Sequence, residues 1–465
     1  MASMSRALGR VKQDLAVLLP DSQIVDACRA AGHRWRKRLL DPVTTIQLFV
    51  LQVLNFNTSL THLRHLAGRA VKPSAYCQAR MRLPLAAMQR LLRAMCDAAG
   101  AVAGPGGFLG HRVLLVDGSS SGLPDTKALQ KVFPQPGRQR KGCGFPLAKL
   151  LGLFDAATGL LVEMLPCSLH THEQSRVSGL HPLLRAGDVV LADRGLCSFW
   201  HAAMLSVRRV LCCFRMHQAQ IVDFRPHRKS RGQAGKKQRA AKRAKEWTKA
   251  RAGKRDKGRP TSTWVRRLDK HDQVVRWAKP KARPAWMTPE LFDTLPDELE
   301  VREIRYRIPR KGQRTQCVTI ATTLLDPTLY PKEKIAELYK LRWEVETHFR
   351  ELKTTMRMRV LKCKTPEGVK KELIAFALAY NLVRLVMTEA ARRQGVDVSR
   401  ISFLDALRWL LSAAPGEAMP DLAVNPLRPD RHEPRCVKRR AKQYDLMNRP
   451  RAELRKRLGA TKVNA

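Results

Sequence analysis

Tyr339, Arg342, Glu346 and Lys353 stand between Pro331 and Met356 in the spacing Y-x2-R-x3-E-x6-K. The stretch reads as one helix with Pro331 in its first turn. At 3.6 residues per turn all four side chains fall within an arc of about 60°. Leu338, Val345, Phe349 and Leu352 make an apolar stripe beside them. One side of such a helix can be buried while its edge presents a carboxylate flanked by two cations and a phenol. That arrangement suits a metal-binding acid whose substrate is a polyanion. Arg342 and Glu346 are also i,i+4 partners, and a salt-bridged solvated face would carry the same pair.

Two aspartates follow aliphatic runs, Asp117 after Val-Leu-Leu-Val and Asp193 after Val-Val-Leu-Ala. Each run reads as a short buried strand. An acid at a strand end reaches a cleft at the sheet rim, and aspartate is disfavoured inside strands. Gly118 and Gly195 lie nearby, so either aspartate alone could simply start a turn. With Glu346 they give the order Asp, Asp, Glu on strand, strand and helix. Cutting a phosphodiester needs an attacking oxygen in line with a leaving oxygen, a task for two divalent ions roughly 3.5–4 Å apart. Mg²⁺ takes hard oxygen ligands, with Mn²⁺ expected to substitute, and a few carboxylates with phosphate oxygens and water suffice. Arg342 and Lys353 can neutralise phosphate oxygens, Arg as a fork and Lys as a point charge. Tyr339 can donate to a phosphate, and Arg194 is the basic partner on the strand side.

These residues need elements to hold them. Residues from about 10 to 100 read as helical: Asp41-Pro42 caps an apolar helix, a shorter one runs from about Ser59 to Ala67, and Pro73 opens another that stops at Pro84. The last two could be a helix-turn-helix or an ordinary helical hairpin. Lys149 to Phe154 and Leu160 to Leu165 read as a hairpin, and Asp188 to Asp193 and Arg209 to Phe214 as further strands separated by a helix. The pattern suggests an α/β fold with a mixed sheet and helices on its faces. From His227 to Pro260, fifteen Lys and Arg stand against two acids, a piece expected to be disordered without ligand. Short strands from Thr263 to Leu324 then make a small antiparallel β element. Thr365-Pro366 opens a strongly apolar helix to about Arg392, and Phe403 to Leu411 is another. The expected layout is a helical DNA-binding domain (1–105), the first part of a catalytic core (106–215), a basic and β-rich insertion (216–328), the second part of the core (329–412) and a basic C-terminal tail (413–465).

Eighty-seven Lys and Arg against 40 Asp and Glu give a net charge of +47. Such self-repulsion calls for a polyanionic partner, and the spread of cations along the chain suits an extended nucleic-acid track. Eleven cysteines without a C-x-x-C pair argue against a disulfide framework or zinc ribbon and fit reduced thiols in the cytosol. No signal-peptide pattern opens the chain, and the apolar run Ile46 to Leu54 is too short to span a bilayer. The expectation is a soluble cytoplasmic, nucleoid-associated protein with neither a membrane nor a small-molecule substrate as partner.

The four-residue spacing resembles the Y-R-E-K signature of the DDE transposases of the insertion-sequence family numbered four. The resemblance in layout covers roughly residues 110 to 390. It implies a ribonuclease-H-like core interrupted by a β-rich insertion, with Asp117, Asp193 and Glu346 as the metal-binding triad. It also implies DNA-phosphate contacts by Tyr339, Arg342 and Lys353. The family's second aspartate often lies in D-R-E-A-D; here Asp193-Arg194-Gly195-Leu196-Cys197 keeps the first two positions. Some members stack a flipped base on a tryptophan of the insertion, and Trp247, Trp264, Trp277 and Trp286 are available, each equally suited to packing. The implied function is transposition of an insertion sequence. A homodimer would bind double-stranded DNA at terminal inverted repeats, then cut and rejoin strands by a cut-and-paste route through a hairpin. A non-catalytic DNA-binding derivative and a structure-specific nuclease on the same fold are the alternatives.

Overall fold

The computed structural model describes residues 20–36, 38–66, 71–103, 107–171, 173–217, 222–227, 261–308, 316–413, 417–427 and 444–463. The basic run 228–260, the turn at Arg310-Lys311-Gly312, Trp247 and the segment 428–443 lie outside them. The chain divides into two compact units. One comprises Met1–Gly104, Gly118–Thr171 and Glu346–Ala465; the other comprises Pro105–Asp117 and His172–Val345.

In chain order, helix α1 (Pro42–Leu54) is capped by Asp41, whose carboxylate accepts from the Thr44 amide at 2.7 Å. Every residue from Thr45 onward in it is buried, as expected of a helix apolar on all sides. Helices α2 (Pro73–Arg82) and α3 (Leu85–Ala103) follow. Strand β1 (Val113–Gly122) runs on past Asp117 through Gly118-Ser-Ser-Ser, where sequence alone ended it. The hairpin β2 (Leu147–Asp155) and β3 (Leu161–Ser168) forms as expected. Then come β4 (Val189–Ala192), β5 (Leu211–Arg215), β6 (Thr261–Asp269), β7 (Asp272–Ala278), β8 (Glu298–Ile308) and β9 (Gln316–Thr322). Helices α4 (Lys332–Lys340), α5 (Glu344–Arg350), α6 (Pro366–Gln394) and α7 (Arg451–Val463) complete the labelled set.

The first unit is built on α6. Thr365 caps it at the Gly368 amide and Pro366 occupies its first turn, while Gly395, at φ 62°, ends it in the left-handed conformation glycine favours. It packs against α1, α3 and β3. This helix is long and apolar enough to cross a membrane, but 83% of its apolar window is buried in protein, which marks a core helix. Asn381 clasps β3, donating to the Leu161 carbonyl at 3.0 Å and accepting from its amide at 2.8 Å. Arg384 donates twice to the Thr158 carbonyl in the β2–β3 turn.

In the second unit β1 pairs in parallel with β4, and β4 with β5. Val113–Val116 and Val189–Ala192 are fully buried, as central parallel strands must be. β9 then joins β5 antiparallel, followed by β8, β7 and β6. The β-rich insertion, expected as a small antiparallel element, therefore continues the core sheet. A buried Arg302–Asp272 pair pins β8 to β7, with Nε–Oδ1 at 2.8 Å and Nη2–Oδ2 at 2.5 Å. Two satisfied carboxylate contacts in the sheet interior make the register costly to slip.

Candidate active site

Val116 and Ala192 are register partners in the parallel β1–β4 pair, and Asp117 and Asp193 are the next residues along each strand. Neighbouring strands lie about 4.8 Å apart, so the two aspartates stand on adjacent strands, Asp117 within β1 and Asp193 just past the end of β4. The Asp117 side chain is 27% exposed, and Asp193 is partly buried. Asp193 Oδ1 is buried without a hydrogen-bond partner among the described residues. An acceptor in that state carries a desolvation cost unless a cation or donor meets it.

Tyr339 and Arg342 reach this pair from the helical run that begins with α4. Arg342 is buried and places Nη1 3.7 Å from Asp117 Oδ2, with its guanidinium over the Trp343 ring. Tyr339 is 2% exposed, and its hydroxyl donates to the Ala192 carbonyl at 3.4 Å, immediately before Asp193. Burial pushes its phenol pKa up, Arg342 opposes that rise and Asp193 adds to it, so the hydroxyl keeps its proton. The hydroxyl expected to meet a DNA phosphate thus lies against the end of β4.

The helical run is not of one pitch. α4 passes through a 3₁₀ turn, Leu341–Trp343, into α5 and then a π turn, Glu351–Thr355. Glu346 is exposed, while Tyr339 and Arg342 are buried. The apolar stripe Leu338, Val345, Phe349 and Leu352 is buried as expected.

Glu346 opens the last segment of the first unit, where Lys353 is partly buried and donates to Ser119 Oγ at 3.2 Å. Ser119 lies two residues beyond Asp117 and so shares its face of β1. The segment is anchored through Tyr380 of α6, whose hydroxyl donates to Glu351 Oε2 at 3.2 Å and lies 3.0 Å from His348 Nδ1. Phe154 stacks on His348 at 5.2 Å, and burial lowers the His348 pKa. Sequence reasoning missed Ser119, His348, Glu351 and Tyr380. The alternation Asp117, Ser119, Ser121 was the one available signal for Ser119.

The structure thus brings together Asp117, Asp193, Tyr339 and Arg342, with Arg194 next in the chain. Among the described residues no three His, Cys, Asp or Glu side chains gather closely enough to hold a metal ion. The pair of aspartates still fits a hard divalent cation, because it offers only carboxylate oxygens and one of them, Asp193 Oδ1, is buried without a hydrogen-bond partner among the described residues. Neighbouring thiols do not compete: burial pushes Cys212 up to about 12 and Cys197 higher still. Of the insertion tryptophans, Trp277 is buried in the core, Trp286 stacks on His201, and Trp264 meets His227 at 4.5 Å.

The transposase DDE domain family matches residues 109–382, more than half of the chain, and the match contains both aspartates and the whole Y-R-E-K run. The chain belongs to the DDE transposases. Over 394 residues the transposase is 26% identical to transposase InsG for insertion sequence element IS4 of Escherichia coli strain K12, covering 80% of this chain and 78% of InsG. Over 81 residues it is 33% identical to the transposase for insertion sequence element IS421 of Escherichia coli, covering 16% of this chain and 22% of that one. The piggyBac transposase synaptic complex with hairpin DNA gives a TM-score of 0.41 at 9% identity, covering 86% of this transposase and 79% of that chain, a score too low to define a fold. The transposase is an enzyme of the insertion-sequence kind related to IS4.

Proposed function

We propose that this transposase cleaves and rejoins DNA at the ends of its insertion sequence on a ribonuclease-H-like core. The observation that carries the proposal is that Asp117 and Asp193 follow register partners on adjacent parallel strands, with Asp193 Oδ1 buried and without a hydrogen-bond partner among the described residues. Asp117, Asp193 and Glu346 would hold two Mg²⁺ ions. Bound there, such ions activate the attacking oxygen and stabilise the leaving one. The strand backbone fixes both aspartates, and Tyr339 steadies the end of β4 beneath Asp193. Arg342, Arg194 and Lys353 would take non-bridging phosphate oxygens and orient the scissile phosphate for in-line attack. Water is the first nucleophile. The freed 3′-OH then attacks the opposite strand to close a hairpin, which is opened before the 3′-OH attacks target DNA. A homodimer holds the paired ends through these steps.

The test uses the full chain, Mg²⁺ and labelled element ends. Wild-type protein is expected to yield joined strands, and Asp193→Asn to lose cleavage by about a thousandfold or more while still retarding the DNA, as for removal of a transition-state electrostatic group. Cut but never joined ends would sink the strand-transfer reading. Full activity in Asp193→Asn, Asp117→Asn or Glu346→Gln would remove that residue from the site.

A further inference from the structure

The C-terminal segment, read from sequence as a basic tail, is fastened to the body of the first unit between residues 444 and 451. Gly144 bridges Leu446 antiparallel, and the Met447 amide donates to the Cys143 carbonyl at 2.8 Å. Gln139 donates to the Tyr444 carbonyl at 3.0 Å. Arg451, the first residue of α7, is the rivet. Its Nε donates to Asp125 Oδ2 at 2.6 Å, its Nη1 to the Gly142 carbonyl at 2.9 Å and its Nη2 to the Gly144 carbonyl. The same guanidinium lies over the Phe145 ring at 5.6 Å, and its side chain is 11% exposed. An arginine with both amino groups and Nε engaged by fixed acceptors holds its helix in one place.

What this rivet displays is a block of positive charge. Arg455, Lys456 and Arg457 of α7 are exposed, as are Arg449 before it and Arg138, Arg140 and Lys141 on the loop it grips. Among the described residues these seven cations stand with three acids, Asp445, Glu453 and Asp125, the last already engaged by Arg451. Glu453 pairs with Arg449 at 2.6 Å and with Arg457 at 3.7 Å. Its pKa is held below the usual carboxylate range chiefly by the Arg449 hydrogen bond, with contributions from Arg457 and from Arg140 across the loop. Arg140 of the loop and Arg449 and Arg457 of the helical segment therefore gather about Glu453, while Arg138, Lys141, Arg455 and Lys456, exposed next to them in the chain, are offered to an external anion. A free tail would bring the same residues to DNA with an ordering cost; a fastened helix has met that cost in folding.

We propose that α7 and the loop 137–142 form a preorganised second DNA-binding surface that grips duplex phosphates without reading sequence. The proposal rests on the DNA-processing reading above and adds a place and a mode. Its test measures the affinity of the full chain for a duplex of arbitrary sequence across a salt series. Arg455→Ser/Lys456→Ser and Arg138→Ser/Lys141→Ser are each expected to flatten the slope of log K against log[salt] by about 2, at roughly one phosphate per cation. Arg451→Ala leaves every one of those cations in place but releases the helix, and it is expected to weaken binding about tenfold or more. Unchanged slopes in both double variants would overturn the proposal, and wild-type affinity in Arg451→Ala would overturn its preorganised form. Wild-type protein that neither binds duplex nor joins element ends would instead sink the DNA-processing reading, so the two failures are separable.

Discussion

Tyr339 and Arg342 belong to the same short run as Glu346, yet their side chains are buried. Arg342 pairs with Asp117, and Tyr339 holds the carbonyl that precedes Asp193. Glu346, beyond the 3₁₀ turn Leu341–Trp343, is exposed. A phosphate contact and a strand-end contact by Tyr339 make opposite predictions. Tyr339→Phe removes one hydrogen bond worth about 0.5–1.5 kcal/mol. With the strand-end role, affinity for element ends and its salt slope stay as in wild type, and the cleavage rate at saturating DNA falls by up to about tenfold. Binding titrations with single-turnover kinetics decide it: weaker binding with a flatter salt slope would return Tyr339 to the phosphate.

At the scale of elements, α6 and the β2–β3 hairpin depend on each other. Gly159 sits in the hairpin turn at φ 71°, and a Cβ there would run into the Arg384 guanidinium, which is committed to the Thr158 carbonyl. Gly395, at φ 62°, ends the same helix with nothing within 4 Å of an added Cβ. Both alanine substitutions bear left-handed backbone strain of about 1 kcal/mol. Only Gly159→Ala also displaces a buried cation, so it is expected to destabilise by about 2–4 kcal/mol in total. Urea denaturation of the two variants checks this, and equal losses would show that the arginine moves aside freely. The 3₁₀ and π turns flanking α5 belong to the same scale. Tyr380, from α6, meets the second of them at Glu351 and ties the Lys353 segment to the core of its unit.

For the whole molecule, the charge of +47 dominates. Like charges at that density destabilise the compact state, and a polyanion that binds the folded form relieves the repulsion. Duplex DNA is therefore expected to raise the thermal unfolding midpoint by several degrees at low salt, and the gain should vanish near 1 M salt, where the Debye length is about 3 Å. Differential scanning fluorimetry with and without DNA at two salt concentrations is sufficient. A shift that survives high salt would mean that apolar or base-specific contacts, not phosphates, carry the binding.

Much was legible in local pattern. Asp41-Pro42 and Thr365-Pro366 announced their helices because capping is decided within one turn of chain. Val113–Val116 and Val189–Ala192 announced buried strands because continuous aliphatic runs have few other homes. The acids after them were visible for the same reason. Composition alone called for a polyanion. What the chain could not spell out was adjacency. That β1 lies beside β4, that β9 extends β5, that Ser119 receives Lys353 and that Arg451 locks the last helix to a loop at Gly142 are relations between residues far apart in sequence. No periodicity encodes such distances; they follow from which surfaces exclude water together once the chain has folded.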